Sequence, residues 1–378
     1  MLTRLHVENY KSLRELDITF GPLTVLVGPN GCGKSSVLGA IATLRDLAIG
    51  EFSNARLPPF PRGALSRRAD PQASPQSIIM RLECTDGEGL VQTRAVLTPN
   101  DEAPDSLKLP KSSLSFHRGE AQLEKQWWQY NLPDWATRCL TGVEDYRLDA
   151  TVMAQPAYSR DPRPVLGGRG ENLAVVLDAL QGEHRELFEV VEGDLCRFIP
   201  GLRRVRLHRV AMPVENRVLV GDQFQRVRDQ AVGHQVVLDF DFAKSIAADQ
   251  ASEGTLLLLG LLTIINVQGA LPTTVMLDDL DRALHPRAQR QLVEHLHALL
   301  ASRPDLQIIG TSHSPYLVEH LAYEEVLAMT LAPEDGRSLI APLAEHPEVE
   351  RWREEMSAGE FWSTMGEGWI GRERVAGE

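Results

Sequence analysis

The sequence predicts an α/β fold with a mixed sheet, and three stretches predict it. Residues 24–36, TVLVGPNGCGKSS, run from an apolar strand through the spacing G-x-x-x-x-G-K-[ST] into the helical period of Val37, Leu38, Ile41 and Leu44. Residues 273–286, TTVMLDDLDRALHP, open as an apolar strand and close on acids. Residues 306–310 form a further apolar strand, with Thr311, Ser312 and His313 following at its carboxyl end, the edge where ligands sit in an open α/β sheet.

The elements follow in order along the chain. Residues 2–9 and 16–20 alternate apolar and polar side chains and read as antiparallel neighbours on the edge of the sheet that carries the phosphate loop. Tyr10-Lys11-Ser12 between them is either a turn or a wall that meets a nucleotide base. In the loop, glycines let successive backbone N–H groups turn inward around phosphates, and the helix N-terminus adds its positive end. Lys34 supplies a point charge for the β and γ phosphates, and the Ser35 hydroxyl a ligand for Mg²⁺. ATP or GTP binding follows.

Residues 55–76, rich in proline, arginine and serine, read as a surface connection. Residues 77–84 and 90–97 form a hairpin turned at Asp86-Gly87, and residues 107–133 hold a helix with Trp127, Trp128 and Tyr130. Adjacent tryptophans on a helix point different ways, which favours packing over base stacking. Residues 148–162 carry Gln155, and residues 172–180 and 186–198 read as helices, the first preceded by a glycine-rich turn. In RRVRLHR, residues 203–209, Arg204, Arg206 and His208 alternate with Val205 and Leu207. Such a basic strand face suits a phosphate backbone or an acidic partner, or is a solvated edge that discourages sheet stacking. Residues 218–227 and 234–240 read as further strands, the latter leading into Asp239 and Asp241 as a D-x-D pair.

Ala251-Ser252-Glu253-Gly254-Thr255 opens a long apolar helix, 256–265. Its start offers N–H donors to an anion, and Ser252 equally suits a cap. Asp278, at a strand terminus, is placed to hold Mg²⁺ through water, and Asp279 to reach a water aimed at the γ-phosphate. His313 on the same rim can hydrogen-bond that phosphate or that water.

With 378 residues, 43% of them hydrophobic, the chain can bury a large core, and its net charge of −13 argues against whole-surface attraction to nucleic acid. The cysteines at 32, 84, 139 and 196 form no C-x-x-C pair, which points to a reducing cytosol and away from a structural zinc. The longest apolar run, 254–265, is too short to span a membrane and no signal peptide is read, so the expected location is the cytoplasm with no membrane partner.

Taken together, GPNGCGKSS, ASEGT, MLDDLDRALHP and GTSHSP resemble the ATPase heads of the ABC class that includes SMC, RecF and OLD-type proteins, particularly the AAA_21 and AAA_15 groupings. The resemblance implies an ABC-type head with a variable α+β lid or arm. It divides the chain into an N-terminal lobe (1–50), lobe strands plus the insertion (51–240), a C-terminal lobe (241–330) and an aromatic, acidic tail (331–378). It makes Asn30, Gly31, Gly33, Lys34, Ser35 and Ser36 the Walker A contacts, Gln155 a Q-loop residue, and Ser252 and Gly254 the signature. Asp278 becomes the Walker B aspartate, Asp279 the hydrolytic acid and His313 the switch histidine. ATP and Mg²⁺ are the implied cofactors, since no guanine-reading N-K-x-D occurs. The implied partners are a second copy across an ATP sandwich, a protein effector in defence against phage, and nucleic acid along Arg203, Arg204, Arg206 and Arg209.

Two departures qualify the resemblance. Relatives read D-E-P-E where this chain has Asp278-Asp279-Leu280-Asp281, so the acid at 279 is one methylene short and slow hydrolysis is expected. OLD nucleases carry an added TOPRIM domain, whereas the residues after 329 leave room for a helix or two, with Trp352, Phe361, Trp362 and Trp369 packing on the head or on an effector.

Overall fold

The structure, a computed structural model, describes residues 1–49, 77–85, 89–99, 107–108, 114–125, 134–220, 223–267 and 273–371. The chain forms two compact units: Met1–Asp145, Leu271–Asp281 and Leu292–Glu378 make the first, Tyr146–Ala270 and Arg282–Gln291 the second. Compactness thus partitions the chain differently from the order of its motifs.

In the first unit β1 (Leu2–Tyr10) and β2 (Leu13–Thr19) pair antiparallel, and β3 (Leu23–Val27) leads into the loop and α1 (Lys34–Ile49). There follow β4 (Ile78–Thr85), β5 (Leu90–Pro99), β6 (Leu107–Lys108), β7 (Leu114–Arg118), β8 (Ala121–Lys125), α2 (Asp134–Thr141) and β9 (Val143–Tyr146). The second unit contains α3 (Ala150–Met153), α4 (Leu173–Glu183), α5 (Arg185–Phe198), β10 (Leu202–Val220), β11 (Gln223–Phe240), β12 (Ile246–Ala247) and α6 (Glu253–Val267). Then come β13 (Thr273–Leu277), α7 (Pro286–Ser302), β14 (Leu306–Ser312), α8 (Pro315–Val318), β15 (Val326–Leu331), β16 (Ser338–Pro342), α9 (Val349–Trp352) and α10 (Ala358–Met365).

Among the described residues the phosphate-loop strand lies in a six-stranded sheet of order β16-β15-β3-β14-β13-β9. Strands β13, β14, β3 and β15 run parallel, and β16 closes the edge antiparallel. All five residues of β3 and all seven of β14 are buried, as central parallel strands covered on both faces must be. Strands β1 and β2 are antiparallel neighbours as expected, but they belong to a different sheet, ordered β2-β1-β4-β5-β7-β8. Their alternation of buried and exposed residues fits an antiparallel sheet with one wet face. The two sheets are stitched by one buried amide: Gln307 on β14 accepts from the Leu2 N–H at 2.8 Å and donates to the Leu2 and Gly21 carbonyls at 2.8 and 2.9 Å.

The expected hairpin at 77–97 is β4–β5, its turn residues lying outside the described ones. The helix expected over 107–133 does not form where the chain is described. Leu114–Arg118 and Ala121–Lys125 pair as a hairpin instead, Leu114, Phe116 and Leu123 alternating toward the core, and Trp127, Trp128 and Tyr130 lie outside the described residues. The strand expected over 218–227 contains a reversal, since β10 ends at Val220 and β11 begins at Gln223. The result is one long antiparallel hairpin, registered from Leu202 opposite Phe240 to Val220 opposite Gln223.

The segment after 331 is part of the first unit's fold. Phe361 of α10 is fully buried, with its ring edge-on to Tyr323 at 5.5 Å and to His346 at 4.9 Å, and Trp362 is 8% exposed. Phe361 and Trp362 therefore pack within this unit. Truncating Phe361→Ala removes a ring from a filled site and is expected to cost about 3–5 kcal/mol of stability. Calorimetry of the purified protein checks this; a transition unmoved from wild type would show the tail to be dispensable.

Candidate functional site

The apolar run of β3 delivers the chain to the loop, and α1 begins at Lys34, so the lysine sits at the first position of a helix. Lys34 is only 5% exposed. Its Nζ donates to the Gly28 carbonyl at 2.8 Å and the Pro29 carbonyl at 3.0 Å, and lies 3.4 Å from His313 Nδ1 and 3.8 Å from Cys32 Sγ. Burial pushes this ammonium below the usual lysine range, while Cys32 and then Asp279 and Asp278 draw it back upward. The same burial pushes the Cys32 thiol up, against the pull of Lys34. A partly desolvated cation beside exposed Asn30 and Gly31 is built to meet an anion. Ser36 donates its N–H to the Gly33 carbonyl at 2.9 Å, which starts the helical ladder.

Strand β13 places Asp278 beside the loop. The Ser35 hydroxyl donates to Asp278 Oδ1 at 3.0 Å, and Thr311 Oγ1 donates to the same oxygen at 2.7 Å. Oxygens in adjacent octahedral positions around Mg²⁺ stand about 3 Å apart. The Ser35 and Asp278 oxygens are hard donors at that spacing, which fits Ser35 as a Mg²⁺ ligand with Asp278 either beside it or acting through an intervening water. Among the described residues no group of three or more His, Cys, Asp or Glu side chains gathers as a metal cluster, and a magnesium ion held by one hydroxyl, one carboxylate and phosphates requires none.

Asp279 takes a left-handed backbone, φ +61°, and its N–H donates to Thr311 Oγ1 at 2.8 Å. The Leu280 N–H donates to the Thr311 carbonyl at 2.9 Å, and Leu280 is buried. The acidic turn is thus fastened to β14 at both ends, with Asp279 bent away from the strand direction. Asp281 Oδ1 accepts from the His313 N–H at 3.0 Å, which ties the turn to the rim histidine. Lys34, Ser35, Asp278, Asp279 and His313 lie together in the first unit. Thr311 and Asp281 were not assigned roles from sequence. Their signal is positional: a hydroxyl next to the carboxyl end of β14, and an acid two places after Asp279.

In the second unit Ser252 precedes α6 and its Oγ accepts from the Thr255 N–H at 3.2 Å, while the two hydroxyls lie 2.6 Å apart. Ser252 is therefore a cap, and it is also exposed. Gly254 packs on the Ala283 carbonyl, where an added Cβ would come within 2.3 Å, and the Arg282–Glu253 ion pair (2.9 Å) holds the same contact. Gln155 follows α3, exposed, with its amide donating to the Thr151 carbonyl at 3.3 Å.

The basic residues of β10 are divided between its two sides. Arg204 and Arg206 share a side of β10 with His208, and the two-residue period puts Arg209 on the other. Arg206 is 2.6 Å from Asp239, and Arg203 Nη2 is 2.9 Å from Asp241. The D-x-D carboxylates thus pair with these arginines. Asp239 is held below the ordinary carboxylate range by the Ser245 N–H and by Arg206, and Asp241 by Arg203. Arg203, Arg204 and Arg209 are exposed, Arg203 paired with Asp241, and Arg206 is half-buried. Among the described residues no helix is long and apolar enough to cross a membrane.

Comparison with known proteins supplies the class. Residues 1–84 match the family described as "AAA ATPase domain", and residues 167–319 match "AAA domain, putative AbiEii toxin, Type IV TA system". Both matches are to AAA-type ATPase models, each over less than half of the chain. Its fold is also that of solved SMC heads. The chain is similar to an SMC head bound to the C-winged helix domain of ScpA, with 15% identity, TM-score 0.55, and 90% and 97% of the two chains covered. It is likewise similar to the SMC head with an extended coiled coil bound to the C-terminal domain of ScpA from Pyrococcus furiosus, with 12% identity, TM-score 0.56, and 94% and 99% covered. Among curated proteins the chain is similar to an OLD nuclease of Thermus scotoductus, 22% identical over 399 residues. The alignment takes in 91% of the chain and 65% of that relative's length.

Proposed function

We propose that this chain binds Mg-ATP at Lys34, Ser35 and Asp278, hydrolyses it slowly, and uses binding to close two copies head to tail. The observation that supports the reading is the 3.0 Å contact between the Ser35 hydroxyl and the Asp278 carboxylate, the two side chains that would hold the magnesium. Bound Mg²⁺ would supply charge neutralisation to the β and γ phosphates. Lys34 and the N–H groups of the loop orient the phosphates, Asp279 and His313 position a water, and Ser252 and Gly254 of the second copy offer their helix start to the same nucleotide. The proposed setting is the cytoplasm, where the closed pair regulates a protein effector or a nucleic-acid complex in phage defence, in keeping with the toxin–antitoxin and OLD names among its relatives. Exposed Arg203, Arg204 and Arg209 are the cations a nucleic acid would meet.

One observation favours a second reading, an ATP-organised scaffold with little turnover. Asp279 is short and its backbone is fixed in a left-handed turn, which limits its reach. The test is the mass in solution, with and without Mg-ATP, of wild type and of Ser252→Arg, which places a long cation at the exposed helix start. Wild type is expected to dimerise on adding nucleotide, and S252R to bind ATP within about threefold of wild type yet remain a monomer. A wild-type mass that ignores nucleotide ends the head-to-tail scheme.

A further inference from the structure

The wall behind the phosphate loop is made by two serines from distant parts of the chain. Ser12 lies in the turn joining β1 and β2, and Ser338 opens β16. The Ser338 hydroxyl donates to the Ser12 hydroxyl at 2.8 Å, and the Ser338 N–H donates to the Ser12 carbonyl at 2.9 Å. Gly33 presses against this pair. Its φ is +109°, and a Cβ built there would lie 2.4 Å from Ser338 Oγ and 2.9 Å from Ser12 Oγ.

Gly33 matters because its carbonyl accepts from the N–H groups of Ser36 and Val37 at 2.9 and 3.1 Å, so its peptide fixes the first turn of α1 and the root of Lys34. The same two turns are clamped further out: Arg14 Nη1 lies 2.7 Å from Asp335 Oδ2, and its Nη2 donates to the Asp335 carbonyl at 2.7 Å. The turn between two antiparallel-sheet strands is thereby fastened to the edge of the sheet that holds the loop, directly behind the peptide that must aim its N–H groups.

Resting on the ATP reading above, we propose that Ser12 and Ser338 are positioning residues that hold the Gly33–Lys34 peptide in its phosphate-binding form. Ser338 is 1% exposed and neither hydroxyl is needed to neutralise charge. With the hydroxyls removed, the Gly33 peptide gains room to retreat and the fan of N–H donors loosens. Nucleotide affinity falls, while the acid and histidine that position water keep their places.

The experiment is a titration of a fluorescent ATP analogue, with steady-state turnover, on wild type, Ser12→Ala/Ser338→Ala, Asp335→Asn and Lys34→Ala. The double variant is expected to weaken binding by about tenfold, with turnover at saturating ATP within about threefold, the split that separates ground-state positioning from chemistry. Asp335→Asn is expected to weaken binding by about threefold through the outer clamp. A folded double variant whose affinity stays within about twofold of wild type overturns the inference. If that variant does not fold, Asp335→Asn decides, and unchanged affinity there overturns it. If wild type fails to bind the analogue, or Lys34→Ala binds it equally well, the ATP reading itself is wrong and the serine assignment goes with it.

Discussion

Lys34→Ala is expected to weaken ATP binding by about 100-fold or more, because it removes a largely buried cation whose hydrogen bonds would go to charged phosphate oxygens. Lys34 now donates to the Gly28 and Pro29 carbonyls at the lip of the loop, and burial pushes its pKa down. A dianionic partner would reverse that shift, and this coupling between charge and burial gives the lysine its leverage. The fold should tolerate the change. Removing the ammonium relieves a desolvated charge, and the carbonyl of exposed Pro29 can turn to water, which offsets the bond lost to the buried Gly28 carbonyl. The nucleotide-free protein is therefore expected to melt within about 3 °C of wild type. Calorimetric titration with Mg-ATP checks the affinity; binding within about threefold of wild type would remove Lys34 from the site.

The second large effect is expected from Asp279→Asn. Loss of a positioned base costs roughly 100-fold or more in turnover. ATP affinity should change little, because in the proposed site Ser35 and Asp278, which the substitution leaves in place, would hold the metal. The nucleotide-held dimer should then outlive that of wild type, as read by mass in solution after excess ATP is removed. Asp279→Glu restores the missing methylene and is expected to raise turnover by about tenfold, since a misplacement near 1 Å can cost more than that. An Asn variant that turns over ATP as fast as wild type would assign hydrolysis to another group, and His313, 3.4 Å from Lys34, would be the next to test.

Local sequence specified those parts of the site whose geometry is local. The G-x-x-x-x-G-K-S spacing fixes which N–H groups turn inward, and an apolar strand ending in acids fixes that Asp278 and Asp279 stand at a strand terminus. The same logic found the helices at 173–183 and 185–198, whose apolar period is self-contained. It failed where a polar residue sat at an ambiguous place. Within 107–133 a window long enough for a helix hides the short alternations of 114–118 and 121–125, and the reversal after Val220 is hidden because basic and apolar residues continue on both sides of it.

What the sequence determined by itself is the phosphate loop, its lysine and serine, the acidic strand end and the rim histidine, because each depends on residues within one strand–turn step. The tertiary structure alone decided what stands behind and between them. Buried Gln307 on β14 ties the sheet of the N-terminal strands to the loop's own sheet. Thr311 joins Asp278 to the Asp279 turn, Ser338 backs Gly33 from a strand more than three hundred residues downstream, and Phe361 fixes the tail to the head. Such contacts carry no short-range pattern: a hydroxyl or an amide finds its partner only after the sheets have assembled and water has been excluded, when an unmatched polar group would be costly.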